Sequence, residues 1–144
     1  MTYKKLMVAV DGSEFALNAA RRGIEFATQL GAQAALIFVV DKSKAVGSAD
    51  LGITPEEVLI VLKKEAEQTL DQLAQMFGHK DLLKFMPEGN PKDDIIRMAD
   101  TWGADLLVIG THARTGLARL LLGSTAEHVI RHSAIPVMVV PLKH

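Results

Sequence analysis

The amino-acid sequence predicts an α/β fold: a five-stranded parallel sheet, doubly wound, with helices on both faces. Three observations predict it. Short, wholly apolar runs recur along the chain, too short for helices and without polar alternation, as in strands covered on both sides. Longer segments between them repeat their apolar residues at helical spacing. Capping and stop residues fall at the boundaries between the two kinds of segment.

The first strand is Leu6-Met7-Val8-Ala9-Val10, closed by Asp11-Gly12-Ser13. Ser13 can cap the first helix, whose stripe is Leu17, Ala20, Ile24 and Ala27 and whose stop is Gly31. Residues 34–40 form the second strand, followed by a polar loop over 42–53 that is longer than most connections. That loop reads either as a lid over a ligand or as a mobile surface loop. Thr54-Pro55-Glu56-Glu57 carries a capping residue, proline at the first helical position and glutamate three after the cap. It opens a second helix along Leu59, Leu62, Ala66, Leu70, Leu73 and Phe77, stopped by Gly78. Residues 82–86 are a weaker third strand, interrupted by Lys84. Asn90-Pro91-Lys92-Asp93 repeats the capping device before Ile95, Ile96, Ala99 and Trp102, with Gly103 as stop. Leu106-Leu107-Val108-Ile109 is the fourth strand, Ser124-Thr125-Ala126-Glu127 a further capping box, and Val137-Met138-Val139-Val140 the last strand. The order β-α-β-α-β-α-β-α-β is that of a Rossmann-like sheet built from right-handed crossovers.

With 144 residues, 1–144 reads as one domain, able to bury roughly 70% of its unfolded surface. Cysteine is absent, which excludes disulfides, thiolate metal sites and a cysteine nucleophile. A net charge of −1 argues against a protein that grips nucleic-acid backbone. No apolar run reaches the ~20 residues that span a bilayer, and the first one is shorter than a signal-peptide core. A cytoplasmic protein with no nucleic-acid or membrane partner is expected.

Doubly wound sheets bind ligands beyond the carboxyl ends of their strands. At the end of strand one, Asp11 either takes a ribose hydroxyl, an amino group or a metal-bound water, or only caps the first helix. Strand four runs into residues 110–124, where Gly110, Gly116 and Gly123 permit positive φ and close approach, and His112, Arg114 and Arg119 bring donors or charge. The helix amides after Ser124 would point outward with the positive end of the helix dipole, an anion site that suits phosphate. The alternative is a flexible loop with Ser124 as a plain cap; the two roles of Ser124 are compatible. The stretch is neither a Walker-type loop nor a dinucleotide fingerprint.

Over its whole length the sequence resembles the universal stress protein family. The resemblance rests on Val8-Ala9-Val10-Asp11, Phe38-Val39-Val40-Asp41, Gly89-Asn90-Pro91, the tail Ile135-Pro136-Val137-Met138-Val139-Val140, and a glycine loop of the form G-x-x-G, nine residues, G-[ST] over 110–124. It implies an ATP-binding regulatory protein of the stress response, with or without Mg2+, binding at the ends of strands one, two and four. Ala9 and Asp11 would lie beside the nucleoside, Val39 backbone would read the adenine edge, and Gly110 would lie against the ribose. Thr111, His112, Ala113, Arg114, Thr115 and Gly116 would wrap the phosphates, closed by Gly123, Ser124 and Thr125. The resemblance also implies a homodimer through the last strand.

One position departs from the family pattern: its second loop glycine is Ala113 here. A Cβ at a positive-φ position costs roughly 1–2 kcal/mol, and ~1.4 kcal/mol is about tenfold in affinity. Ala113 is thus expected to weaken ATP binding without abolishing it. The alternative function is a homodimeric interaction or structural stress module that binds no nucleotide. Neither catalytic residues nor protein metal ligands are expected, and ATP hydrolysis is at most slow. His128 and His132 stand four apart on one helix without a third ligand, a surface pattern rather than zinc.

Overall fold

The computed structural model describes residues 2–78, 82–111 and 122–141. In chain order the elements are β1 (Lys5–Ala9), α1 (Glu14–Leu30), β2 (Gln33–Ile37), β3 (Val40–Asp41), a 3-10 turn (Lys42–Lys44), α2 (Pro55–Met76), β4 (Leu83–Phe85), β5 (Glu88–Gly89), α3 (Pro91–Trp102), β6 (Leu106–Gly110), α4 (Ser124–His132) and β7 (Val137–Val140). Five strands make one sheet in the order β4-β2-β1-β6-β7, and every pairing in it is parallel.

The apolar runs are continuous because each strand feeds two cores. Leu6, Val8, Leu36, Leu106 and Val108 face Ala20, Ile24 and Ala27 of α1 and Leu70 and Leu73 of α2. Met7, Ile37, Leu107 and Ile109 face Ile95 and Ala99 of α3 and Ala126 and Val129 of α4. Each large aliphatic side chain so enclosed contributes roughly 1.5–3 kcal/mol. Trp102 is only half-buried, its ring 5.9 Å from that of Phe85 and under the Lys5 ammonium at 5.3 Å.

At the amino ends of the strands, Asp105 ties β6 to β1. Its carboxylate accepts from the backbone N–H groups of Lys4 (2.7 Å) and Lys5 (2.9 Å). Those bonds hold the carboxyl below its ordinary value of 3.8.

The expected second strand proves to be two. Beyond Ile37 the chain leaves the sheet, and Val40–Asp41 pairs instead with Glu88–Gly89 in a separate parallel ladder. The expected third strand over 82–86 is β4, and beyond it Pro87, which has no N–H to give a ladder, precedes a further short strand, β5, that the sequence reading did not include. The Pro87 carbonyl accepts from Val40 N–H at 2.8 Å, so one residue breaks β4 and starts the new pairing.

The helix starts follow the sequence reading in part. Thr54 and Glu57 make the reciprocal capping box, and Gly31 and Gly103 end α1 and α3 in the left-handed conformation. Asn90 caps α3 through Lys92 N–H, but Asp94, not Asp93, reaches back to Asn90 N–H (3.1 Å). Gly123 is the cap residue of α4, at φ −66°, with no side-chain hydrogen bond; Ser124 is already helical. The expected Ser124 box is therefore absent, and neither Gly110 nor Gly123 uses positive φ.

Candidate functional site

Strand order reverses at β1. The connection through α1 carries the chain to β2 on one side, and β6 pairs on the other. Connections that diverge from neighbouring strands leave a crevice between their first turns. Here it is a cleft of about 1060 Å³, at the upper end of ordinary ligand pockets.

Ala9 and Ile109 lie at the strand ends lining the cleft, and Val39, Val40 and Ile95 add apolar surface. All five are buried. The polar side comes from Asp11, Ser13, Gly110, Gly123, Ser124 and Thr125. The structure thus brings together Ala9, Asp11, Val39, Gly110, Gly123, Ser124 and Thr125 of the sequence-derived set. Thr111 lies just beyond β6 at 3% exposure, outside the cleft lining, and its hydroxyl has no hydrogen-bond partner among the described residues. His112, Ala113, Arg114, Thr115 and Gly116 lie outside the described residues, as does Arg119.

Helices α1, α3 and α4 all begin at this cleft; α3 is capped by the Asn90 side chain, as α2 is by Thr54, whereas α1 and α4 have no side-chain cap. In α4 the first helical bond is Glu127 N–H to Gly123 C=O at 3.0 Å, so the amides of Ser124, Thr125 and Ala126 precede the ladder. Uncapped amides at the positive end of a helix dipole suit an anion.

Asp11 takes part in the local turn: its Oδ1 accepts from Ser13 N–H (2.9 Å) and from the Ser13 hydroxyl. Ser13, expected to cap α1, is spent on Asp11 instead. The same device recurs at β3, where Asp41 Oδ1 accepts from Ser43 N–H (3.0 Å) and Oγ (2.6 Å). Two Asp-x-Ser turns therefore flank the cleft. Their repetition was visible in the sequence and is a signal that strand-by-strand reading passes over.

Sequence reasoning also missed the wall supplied by α2. Leu62 and Glu65 line the cleft, as does Lys44 of the 3-10 turn. A Cβ at Gly12 would meet Glu65 Oε1 at 2.9 Å, so the bare Gly12 backbone lets that carboxylate approach the first turn. Of loop 42–53 only Lys44 reaches the cleft; Ser48 and Ile53 pair with each other through bonds of 2.8 and 2.9 Å. No set of three or more His, Asp or Glu among the described residues is grouped to hold a metal ion. The His128 ring lies 4.3 Å from that of His132, tilted by 50°, and its Nε2 is 3.5 Å from Asp93 Oδ1.

A parallel doubly wound sheet with an apolar-floored cleft at its switch point, rimmed by helix starts, defines a protein of the Rossmann-like class. The sequence profile of the universal stress protein family matches residues 2–141, and the chain belongs to that family. It is 40% identical over 141 residues to universal stress protein MJ0531 of Methanocaldococcus jannaschii, spanning 96% of this chain and 82% of that one. Universal stress protein UspA from Lactobacillus plantarum has the same fold, with TM-score 0.82 and 26% identity over 97% of this chain and 99% of that one. The universal stress protein from Archaeoglobus fulgidus, solved in complex with dAMP, superposes with TM-score 0.63 at 26% identity over 96% and 98% of the two chains. No helix among the described residues is long and apolar enough to cross a membrane.

Proposed function

We propose that this universal stress protein binds ATP in the switch-point cleft and acts as a cytoplasmic regulatory protein of the stress response. The observation that carries the reading is the pairing of an apolar slot with two uncapped helix starts in one cleft. A relative of known structure holds dAMP, which shares the adenine and the phosphate chemistry. In this reading the adenine lies on Ala9, Val39 and Val40, with the Val39 backbone reading its edge. Asp11, fixed by Ser13, takes the ribose beside Gly110. The phosphates run toward the amides of Ser124 and Thr125 after Gly123, with Thr111, His112, Ala113, Arg114, Thr115 and Gly116 wrapping them. Mg2+ would accompany the phosphates as part of the ligand. Hydrolysis is at most slow, since the reading assigns no general base.

Calorimetric titration of the whole chain with Mg-ATP tests it. Binding is expected, weakened at least tenfold in Gly123→Val, whose side chain would enter the phosphate path. Absence of heat at millimolar nucleotide overturns the reading. If Ala113→Gly then restores binding, the chain is the nucleotide-free interaction module that the Ala113 departure favours.

The reading includes a homodimer through β7. Among the described residues this outermost strand pairs only with β6, and an apolar edge is a liability unless covered. A charge at Val139 (Val139→Lys) is expected to remove the β7 contact and give a smaller assembly in sedimentation.

A further inference from the structure

The first half of α2 is built to be covered, and nothing among the described residues covers its outer side. Its core residues, Ala66, Leu70 and Leu73, all come from the second half. In the first half, Val58, Leu59 and Leu62 are half-buried, whereas Ile60 and Val61 are each 64% exposed. With Leu51 at 75% and Val46 at 72%, they are the four most exposed large apolar side chains described, all in this arm or the turn before it. A helix apolar on both sides is normally buried on both, and apolar clusters of this kind mark interaction surfaces.

The charges flanking this surface select the occupant. Glu57 and Lys64 are seven residues apart, almost two full turns, so they stand on the same side as Ile60 and Val61, roughly 10 Å from each other. Lys64 makes no ion pair with any described residue, whereas its neighbour Lys63 is paired with Glu88. Glu57 uses Oε1 for the Thr54 cap and keeps Oε2. A two-fold axis between positions 60 and 61 sets a second helix antiparallel. Val61 of each copy then packs against Val61 of the other and Ile60 against Ile60, while Glu57 meets Lys64 at both ends. The surface is its own complement, which is the requirement of an isologous contact.

We propose that the outer face of the first half of α2 is a homotypic interface, occupied by the same helix of a second copy of this chain. It is separate from β7. It also lies on the helix whose other side supplies Leu62 and Glu65 to the cleft, so association and cleft occupancy share one element.

Charge complementation in the full-length chain tests this. Sedimentation velocity is expected to show Lys64→Glu and Glu57→Lys each associating at least tenfold more weakly through this face. An equimolar mixture is expected to recover it, because each variant supplies the charge the other lacks. Ile60→Glu is expected to lose the contact and not be rescued, with far-UV circular dichroism reporting that all variants fold. Because the chain has no cysteine, Val61→Cys is a clean probe and should form disulfide-linked dimers under mild oxidation, whereas Gln75→Cys at the far end should not. Failure of the mixture to recover association, or an association indifferent to Ile60→Glu, overturns the proposal. In the second case the contact is made elsewhere, and Val139→Lys assigns it to β7.

Discussion

Replacing Gly89 by alanine tests how the α3 side of the cleft is held. Its φ lies outside the left-handed region, so alanine has no backbone penalty there. A bare conformational argument even predicts a gain of about 0.4–1 kcal/mol from the stiffer unfolded chain. Packing predicts the reverse, because a Cβ at this position would land on the Asp94 carboxylate. That carboxylate is buried and accepts from Asn90 N–H at 3.1 Å and from Arg97 Nε and Nη2 at 3.0 and 2.8 Å. Displacing it forfeits a charge-assisted bond of about 1.5–3 kcal/mol. The Arg97 side chain is 60% exposed, so its ion pair adds at most about 1 kcal/mol. The net loss is about 1–3 kcal/mol, which for a chain of this length lowers Tm by about 3–9 °C. Thermal melts followed by circular dichroism measure it. In an Asp94→Ala background the same substitution should be neutral or mildly stabilising. A Gly89→Ala protein that melts at or above the wild type, or a drop undiminished without Asp94, refutes the reasoning. Since Pro91 and Ile95 line the cleft, nucleotide affinity should fall with stability in Gly89→Ala.

Two further perturbations have signs fixed by the structure. Thr111→Val removes a buried hydroxyl that has no partner among the described residues, so the ligand-free protein should gain about 1 kcal/mol and melt about 3 °C higher; an unchanged or lower melt would show the hydroxyl to be satisfied. Asp105 has a depressed pKa in the folded state, so its contribution is present above 3.8 and lost as pH falls through the lower folded value. Asp105→Asn should therefore have a lower urea midpoint than the wild type at neutral pH, with the difference closing in strong acid; a constant difference would refute the linkage.

Most of the fold was legible because its signals are local. Continuous apolar runs such as residues 6–10 gave two-sided strands, and the Thr54–Glu57 box gave the start of α2. What escaped is what depends on a distant partner. The break after Ile37 has no mark in residues 34–40; it arises because β1 ends at Ala9 and Pro87, far along the chain, offers a carbonyl to Val40. Asp94 outcompetes Asp93 for Asn90 because only its side chain packs under Gly89. At the site, the strand ends Ala9, Asp11, Val39 and Gly110 were readable from topology. Lys44, Leu62 and Glu65 were not, since only the folded position of α2 brings them to the cleft.

The small ladder between β3 and β5 has a mechanical consequence. Its four residues are the junction from which the chain departs toward α2 in one direction and α3 in the other. Among the described residues it pairs with no other strand, and the bonds from Phe38 N–H to Phe85 C=O (2.9 Å) and from Val40 N–H to Pro87 C=O (2.8 Å) join it to the β2–β4 edge. The ladder joins Val40 and Asp41, before the α2 arm, directly to Glu88 and Gly89, before the first turn of α3. The forked sheet edge is thus a shared footing for the two sides of the cleft, and a substitution that breaks it is expected to loosen both.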